Sequence, residues 1–124
     1  MKNPVTEICD LNYELPPDAP DAPQWLVDAL QVPREEGWVT SEGCDVHYFR
    51  WGDPANPPLL LMHGFLAHAR CMAFIAPFLA EQYHVVAYDL SGMGDSGVRS
   101  SYPDAIRAQE VVDVARETGL FDHA

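Results

Sequence analysis

Leu-Leu-Leu-Met-His-Gly-Phe at residues 59–65 and Val-Val-Ala-Tyr-Asp-Leu-Ser-Gly-Met-Gly-Asp-Ser-Gly at residues 85–97 are the most informative stretches of this chain. Each opens with an apolar run that shows no alternation, which is typical of a strand buried on both faces of a parallel sheet. Each run then stops at a loop that contains glycine. Because open α/β sheets bind ligands beyond the carboxyl ends of such strands, these two loops are the candidate binding edge.

The segment between the two runs carries a helical pattern. Apolar residues recur at helical spacing between about Ala69 and Gln82, namely Met72, Ile75, Phe78 and Leu79. Pro77 should kink or shorten this helix, since proline lacks the N–H that an interior position donates. The helix lies between the first run and a second strand, His84–Tyr88, so the two strands are predicted to be parallel members of a βαβ unit.

The flanking segments complete an α/β pattern. Trp38–Ser41 and Val46–Trp51 are rich in aromatic and β-branched residues and enclose a Glu-Gly turn, which predicts an antiparallel hairpin. After the second glycine loop, a helix is predicted from about Pro103 to Glu117, with Ser101 as its N-cap and Gly119 at its end. The predicted fold is therefore α/β, a hairpin followed by parallel strands with crossover helices.

Residues 1–36 differ in composition from the rest of the chain. They contain six of the eleven prolines, and their two basic and eight acidic residues account for half of the excess negative charge. Only residues 24–30 show helical spacing, which Pro33 ends. We therefore expect a proline-rich acidic N-terminal arm with one short helix over residues 1–36, and a sheet-forming region over residues 37–124.

The overall composition excludes several classes of function. The 124 residues suit one domain at most, and 48% hydrophobic with 21% charged residues is ordinary for a globular protein. Seven basic and nineteen acidic residues give a net charge of −12, the wrong sign for binding nucleic acid or anionic lipid. No run approaches the length of a membrane-spanning helix, and no signal peptide is recognisable. We expect a cytoplasmic protein.

Cysteine and histidine spacing argues against a disulfide framework or a metal site. Cys9, Cys44 and Cys71 are odd in number and include no Cys-x-x-Cys pair, so we expect reduced cysteines that mostly pack in the interior. None of the five histidines forms the His-x-x-x-His pair of a zinc hydrolase. No metal and no cofactor are therefore predicted.

The His-Gly-Phe loop at residues 63–65 can perform chemistry with its backbone. Gly64 can adopt angles closed to other residues, which lets the chain turn close to a bound atom. Backbone N–H groups held at that edge can stabilise a developing oxyanion, an effect worth roughly 3–4 kcal/mol per donor. An ordinary strand-to-helix turn that uses glycine for its geometry explains the same residues.

Taken together, the two loops resemble those of the α/β-hydrolase family. The family's third strand ends in His-Gly-aromatic and its fourth ends in Asp-x-x-Gly-x-Gly-x-Ser, and the two apolar runs of this chain are similar to them. The hairpin is similar to the family's first two strands. The resemblance runs from Gly37 to the C-terminus and implies the N-terminal, incomplete part of that sheet. It implies that the Phe65 N–H is half of an oxyanion hole, with Gly64 in the same loop. The loop-shaping residues that it implies are His63, Asp89, Gly92 and Gly94.

The residues that perform the family's chemistry do not occur in this sequence. The family needs a Gly-x-Ser-x-Gly nucleophile elbow, then an acid and then a histidine, in that order. The segment Gly94–Val98 reads Gly-Asp-Ser-Gly-Val and has its glycine one place too early. Met93 also stands where the family more often has His, Tyr or Phe. We therefore expect the catalytic Ser, acid and His downstream of Ala124, and no activity from the 124 residues alone.

The resemblance implies that the full-length protein is a serine-type hydrolase whose small-molecule substrate contains an ester, amide or related bond. Relatives of the same fold include epoxide hydrolases and dehalogenases, in which Asp can replace the nucleophilic Ser. Two alternatives stay open: Gly92–Gly97 matches the Gly-x-Gly-x-x-Gly pattern of a nucleotide-binding module, or the chain is a non-catalytic fragment. The outer edge of the strand Leu59–Met62 is expected to lack a partner, which favours self-association.

Overall fold

The centre of the computed structural model, which describes residues 22–122, is a sheet of four strands in the order β1-β2-β4-β3. The strands are β1 (Glu35–Ser41), β2 (Cys44–Trp51), β3 (Pro58–Met62) and β4 (His84–Tyr88). β2 pairs with β1 and with β4 in antiparallel fashion, whereas β3 and β4 are parallel. The predicted hairpin and the predicted parallel pair are both confirmed.

Within residues 22–122 the sheet is accompanied by three α-helices, which are α1 (Gln24–Gln31), α2 (Ala76–Leu79) and α3 (Asp104–Glu117). α3 agrees with the prediction in extent, and Gly119 follows its end with a φ of 79°. The predicted N-cap at Ser101 is wrong, because Pro103 is the N-cap and no side chain caps the helix. Asp104 instead places a carboxylate in the first turn, where it interacts favourably with the helix dipole.

The crossover from β3 to β4 contains two short pieces instead of the single helix predicted over residues 69–82. A 3₁₀ turn covers Ala69–Met72, and α2 begins at Ala76. Pro77 lies in the first turn of α2, where a missing N–H breaks no intrahelical bond. The proline therefore starts a new helix and prevents a continuous one.

The hairpin turn between β1 and β2 has the conformation that a two-residue connection requires. Glu42 and Gly43 have φ angles of 46° and 75°, and such left-handed residues match the twist of the flanking strands. β1 begins at Glu35, which pairs with Arg50. The sheet therefore includes Glu35 and Glu36, the last two residues of the predicted N-terminal arm.

β4 is the centre of the core, and all five of its residues are buried. Its alternating side chains serve both faces of the sheet. Val86 and Tyr88 belong to a cluster with residues of α3, whereas Val85 and Ala87 belong to a cluster with the crossover segment. A strand covered on both faces in this way agrees with the unbroken apolar run in its sequence.

β3 is less buried than its sequence predicts. Its residues are half-buried or exposed, and Met62 is 50% exposed, so burial on both faces is wrong for this strand. The reason is its position, because β4 is its only neighbour within residues 22–122. The expected unpaired outer edge is confirmed for the part of the chain that the structure describes.

The N-terminal helix α1 packs on the crossover face of the sheet. Ala29 is buried, Leu30 packs against the crossover cluster, and the Trp25 ring lies 6.1 Å from the Phe78 ring. The remainder of the predicted arm, residues 1–21, lies outside the described residues, as does Cys9. None of the helices within residues 22–122 combines the length and the apolar character that a bilayer-spanning helix needs.

The two cysteines within the described residues differ in environment. Cys44 is buried, and burial raises the pKa of its thiol, as expected for a packing cysteine. Cys71 is exposed on the 3₁₀ turn of the crossover. The expectation that the cysteines mostly pack therefore fails at Cys71.

Candidate functional site

The loops that follow β3 and β4 meet at one edge of the sheet, because parallel neighbouring strands end on the same side. They border an open cleft of about 550 Å³. Met62, Phe65 and Leu66 line it from the first loop, and Leu90 to Met93 line it from the second. Asp104 and Arg107 of α3 contribute one acidic and one basic group to a lining that is otherwise largely apolar. The candidate binding edge predicted from the sequence is thus a real concave surface.

His63 connects the two loops through both nitrogens of its buried ring. Nδ1 lies 2.7 Å from the Gly64 carbonyl oxygen, and Nε2 lies 3.0 Å from the backbone nitrogen of Leu90. A carbonyl only accepts and a backbone N–H only donates, so Nδ1 carries the proton and Nε2 is the acceptor. His63 is therefore a neutral imidazole held in one tautomer.

This contact fixes the orientation of the peptide between Gly64 and Phe65. The Gly64 carbonyl faces His63 and also accepts the Ala67 N–H at 3.2 Å. In a planar trans peptide the C=O and the following N–H point in opposite directions. The Phe65 N–H therefore points away from His63, and it has no acceptor among residues 22–122.

The turn at residues 64–67 places its unusual backbone angle at Leu66 and not at Gly64. Leu66 has a φ of 58°, a left-handed conformation that is uncommon for a bulky residue. Gly64 shows no such angle, so the special angle expected there is wrong. A Cβ at Gly64 would meet nothing within 4 Å, which leaves open space beside the peptide. The Phe65 side chain is 83% exposed at this point.

Asp89, the residue directly after β4, is a buried acceptor that organises the second loop. Its carboxylate accepts the Ala69 N–H at 2.6 Å, the His47 Nδ1–H at 2.8 Å and the Asp95 N–H at 3.1 Å. Burial alone raises the pKa of such a carboxyl, but the hydrogen bonds from His47, Ala69 and Asp95 outweigh it, so the pKa of Asp89 lies below its ordinary value. Asp89 is therefore an ionised structural anchor.

The glycines of the second loop make room for side chains of this chain itself. Gly94 has a φ of 53°, and a Cβ there would lie 2.4 Å from the Asp89 carboxylate. Gly92 has a φ of 80°, and a Cβ there would lie 2.5 Å from the Tyr102 hydroxyl. Both positions thus need glycine for the backbone angle and for the close approach of a neighbouring side chain.

His47 of β2 extends the Asp89 anchor into a buried charge cluster. Its Nε2 lies 2.6 Å from the Glu36 carboxylate and its Nδ1 lies 2.8 Å from the Asp89 carboxylate, so each ring nitrogen faces a carboxylate. Asp95 forms an ion pair with Arg70 at 2.7 Å. His47, Asp89 and Asp95 also have the spacing of metal ligands. Asp89 and Asp95 also contact the His47 ring and the Arg70 guanidinium, respectively.

Ser91 and Ser96, the two buried serines of the second loop, both form hydrogen bonds that hold the loop in place. Ser91 Oγ donates to the buried Glu110 carboxylate, which also receives Arg99 Nε at 3.2 Å. Ser96 Oγ donates to the Asp89 carbonyl at 2.6 Å and accepts the His47 backbone N–H at 2.9 Å. Neither hydroxyl bonds to an imidazole, so neither has the base that activates a nucleophile.

The structure brings the predicted site residues into two groups. His63, Gly64 and Phe65 form the first loop, while Asp89 and the loop glycines form the second. Sequence reasoning missed the side chains that connect these loops to the rest of the fold, which are Glu36, His47, Arg99, Arg107 and Glu110. Apart from the Arg107–Glu110 pair, which spans three residues of α3, their partners are distant in sequence, so no local pattern marks them. The one available signal is a charged residue at a helix position where the spacing predicts an apolar one. Glu110 is such a residue, because it precedes the buried Val114 by four positions and so lies on the same face of α3.

Comparison with known proteins gives matches to one family. Residues 59–122, more than half of the chain, match the model described as Alpha/beta hydrolase family. The chain is similar to epoxide hydrolase 3 of Xenopus tropicalis, with 34% identity over 84 residues, 65% of this chain and 23% of the relative. It is also similar to fluoroacetate dehalogenase of a Burkholderia species, with 44% identity over 50 residues, 40% of this chain and 16% of the relative.

Among solved structures, the chain is similar to the crystal structure of a membrane phospholipase A described as a bacterial virulence factor. The TM-score is 0.66 with 35% identity, and the match covers 77% of this chain and 31% of that one. The chain spans less than a quarter of the length of the two curated relatives above and about a third of this structure.

Proposed function

Because the chain belongs to the alpha/beta hydrolase family, we propose that it supplies the oxyanion-binding loop of a hydrolase active site. In this proposal the Phe65 N–H is one donor to the oxyanion, and the nucleophile, the acid and the catalytic histidine come from sequence outside residues 1–124. The observation that carries it is the Gly64–Phe65 peptide, whose N–H is turned away from His63 and has no acceptor among residues 22–122.

The chemistry needs a donor that is in place before the reaction begins. A nucleophile that attacks a carbonyl carbon moves an electron pair onto the carbonyl oxygen, and a preoriented backbone N–H stabilises that charge without rearrangement. Loss of one such donor costs roughly 3–4 kcal/mol of transition-state stabilisation in measured cases. His63 acts as a positioning residue, since backbone groups occupy both of its ring nitrogens.

The substrate class that we favour is a small ester, amide or related bond attacked by a serine. The likeness to a protein named as a phospholipase supports this choice. A second candidate is a hydrolase whose nucleophile is an aspartate, and the likenesses to an epoxide hydrolase and to a dehalogenase support it. In this candidate the aspartate attacks a carbon atom of the substrate and forms an ester. Hydrolysis of that ester passes through an oxyanion that needs the same donor, the Phe65 N–H.

The observations favour a hydrolase over a nucleotide-binding module. In a dinucleotide site the glycines allow the pyrophosphate to approach the backbone. Here the space beside Gly92 and Gly94 is taken by Tyr102 and by the Asp89 carboxylate, whose negative charge opposes a phosphate. α3 begins only at Asp104, so its N-terminus does not follow the glycine loop directly.

The coding sequence that follows residue 124 provides the first test of this proposal. We expect a buried strand that runs into Gly-x-Ser-x-Gly, or into the same elbow with Asp, followed by an acid and a histidine. A reading frame without such an elbow would overturn the proposal.

A pair of Phe65 variants in the protein expressed from that complete reading frame tests the donor itself. Proline is accepted at the second position of a turn such as residues 64–67, so Phe65→Pro deletes the N–H with little cost to the turn. We expect kcat on an activated ester to fall by about 100-fold or more. Phe65→Leu keeps the N–H and should retain activity within a few fold. Equal losses in the two variants would show that the side chain matters and the N–H does not.

A further inference from the structure

We propose that His84 is an acid-sensitive latch at the amino ends of β3 and β4. In this proposal the neutral imidazole is packed in the interior, and uptake of a proton by His84 opens the adjoining ends of the two strands. The inference concerns the response of the fold to mild acid, and it does not depend on the proposed role of the Phe65 N–H.

His84 is the first residue of β4, at the end of the sheet opposite the candidate functional site. Its backbone N–H donates to the Pro57 carbonyl at 2.8 Å, and Pro58 of β3 is its partner in the register. β4 lies between β2 and β3, so His84 marks the point where the amino ends of β3 and β4 meet. A change in the state of this side chain therefore acts directly on that pairing.

The His84 imidazole is enclosed by the fold. The residue is 2% exposed, and its Nε2 is buried without a hydrogen-bond partner among residues 22–122. Because described residues already enclose this atom, sequence outside them cannot reach it while the site stays closed. An imidazolium carries a proton on both ring nitrogens, so the Nε2–H would be a buried charged donor without an acceptor. Burial of such a donor is strongly unfavourable, whereas water accepts from it in the unfolded chain.

The charges around the ring also oppose protonation. Among residues 22–122, the charged groups that act on it are Arg50 of β2, Glu35 of β1 and Asp53 in the loop after β2. Arg50 pairs with Val86, and His84 lies two residues before Val86 on the same face, so Arg50 is its diagonal neighbour. Burial and Arg50 together outweigh the two carboxylates, and the pKa of His84 therefore lies below its ordinary value.

Neither carboxylate is placed to accept a proton from the ring. Glu35 forms an ion pair with Arg50 and is largely exposed. Asp53 is exposed and accepts the Ala55 N–H at 2.9 Å. The neighbouring strand β3 has no titratable side chain. Within the described part of the chain, a protonated His84 would thus have no counter-ion at hydrogen-bond distance.

The backbone beside His84 is too closely packed for a small adjustment to hydrate the ring. Gly52, which follows the last residue of β2, has a φ of 87°, and a Cβ there would lie 2.3 Å from the Tyr83 carbonyl oxygen. The loop after β2 is thus in close contact with the residue that precedes His84. The ring reaches water only when the strand ends separate, so protonation and opening occur together.

Mild acid should therefore favour the open and unfolded forms. His84 takes up a proton at about pH 6.5 in the unfolded chain, whereas its pKa is lower in the closed fold. The stability that neutral His84 contributes is complete above that pH and falls as the pH drops below it, until the native pKa is reached. Because pH 5.5 is about one unit below the unfolded pKa, the unfolding equilibrium constant should rise by up to about tenfold between pH 7.5 and pH 5.5.

Urea unfolding of the 124-residue chain between pH 7.5 and pH 5.5, together with NMR titration of the His84 ring, tests the proposal. The ring should stay neutral in the folded chain below the ordinary value of about 6.5. His84→Leu, which leaves an apolar side chain in the site, should remove most of the rise in the unfolding equilibrium constant. His84→Gln removes the titrating group but keeps a polar one, and it gives the same test if His84→Leu does not fold. His68→Gln, in the crossover, is the matched control and should retain the rise.

Hydrogen exchange shows where the fold opens. The protection factor of the His84 amide, which donates to Pro57, should fall more between pH 7.5 and pH 5.5 than that of the Asp89 amide, which donates to the His47 carbonyl beyond the other end of β4. A His84 ring that titrates in the folded chain at or above its ordinary value would overturn the proposal. So would a full pH dependence in the folded His84 variants, or an equal loss of protection at the two amides.

Discussion

The backbone N–H of Leu90 donates to Nε2 of His63 across 3.0 Å, and this single bond joins the two loops that end β3 and β4. The same imidazole donates from Nδ1 to the Gly64 carbonyl. One buried ring thus sets the separation of the loops and the direction of the peptide that precedes Phe65. The orientation of the proposed oxyanion donor depends on a neutral side chain in one tautomer.

Two substitutions of His63 separate its two hydrogen bonds. An asparagine amide nitrogen can take the place of Nδ1 and donate to Gly64, but it leaves the Leu90 N–H without an acceptor. A glutamine carbonyl can take the place of Nε2 and keep that acceptor. We expect His63→Asn to speed the hydrogen exchange of the Leu90 amide and His63→Gln to leave it slow, each at a cost of about 1–3 kcal/mol in unfolding free energy. Identical exchange in both variants and in the native chain would show that the ring does not hold Leu90.

Substitution of Gly94 should be the most damaging single change among the loop glycines. In Gly94→Ala the new Cβ would lie 2.4 Å from the buried Asp89 carboxylate, in a left-handed backbone that costs about 1–2 kcal/mol by itself. Gly43→Ala is a matched control, since φ there is 75° but a Cβ meets nothing within 4 Å. Thermal unfolding should therefore show a larger loss for Gly94→Ala than for Gly43→Ala. A loss of the same size would mean that the backbone angle alone matters.

Acid should destabilise the fold through Asp89. Its pKa is lower in the native state than in the unfolded chain, so its contribution is complete above the unfolded value of about 4. The contribution is lost as the pH falls below that value and through the lower native pKa. Urea unfolding at a series of pH values should show this fall in the free energy of unfolding. Asp89→Asn should have a lower free energy of unfolding at neutral pH and should lose less of it as the pH falls. If Asp89→Asn lost as much unfolding free energy at low pH as the native chain, the acid sensitivity would belong to another carboxylate.

The 124 residues alone should not hydrolyse activated short-chain esters. The hydroxyls of Ser91 and Ser96 donate to Glu110 and to the Asp89 carbonyl, and no imidazole is positioned to remove their protons. Spectrophotometric assay of the purified chain should therefore match the buffer rate, and Ser96→Ala should give the same trace. Turnover that disappears in Ser96→Ala would instead assign the second loop a catalytic role.

Much of the architecture follows from local pattern. The bounds of β4 and the end of α3 agree with the sequence prediction, because an unbroken apolar run and a glycine after a helical segment act over a few residues. The hairpin and the parallel pair were predictable for the same reason. The resemblance to a hydrolase family was visible in two short motifs, and the family model matches residues 59–122, which include both of them.

The features that tertiary structure decided depend on residues that are distant in the chain. β3 is half-exposed although its sequence resembles that of a buried strand, since burial depends on which elements cover it. His47 and Asp89 are 42 positions apart, and no spacing rule predicts that they share a buried hydrogen bond. The Phe65 N–H acquires its direction only when His63 binds Gly64 and Leu90 together. Local sequence sets the preferences of each segment, but hydrogen bonds and burial between segments are properties of the assembled fold, because they depend on distances that exist only after folding.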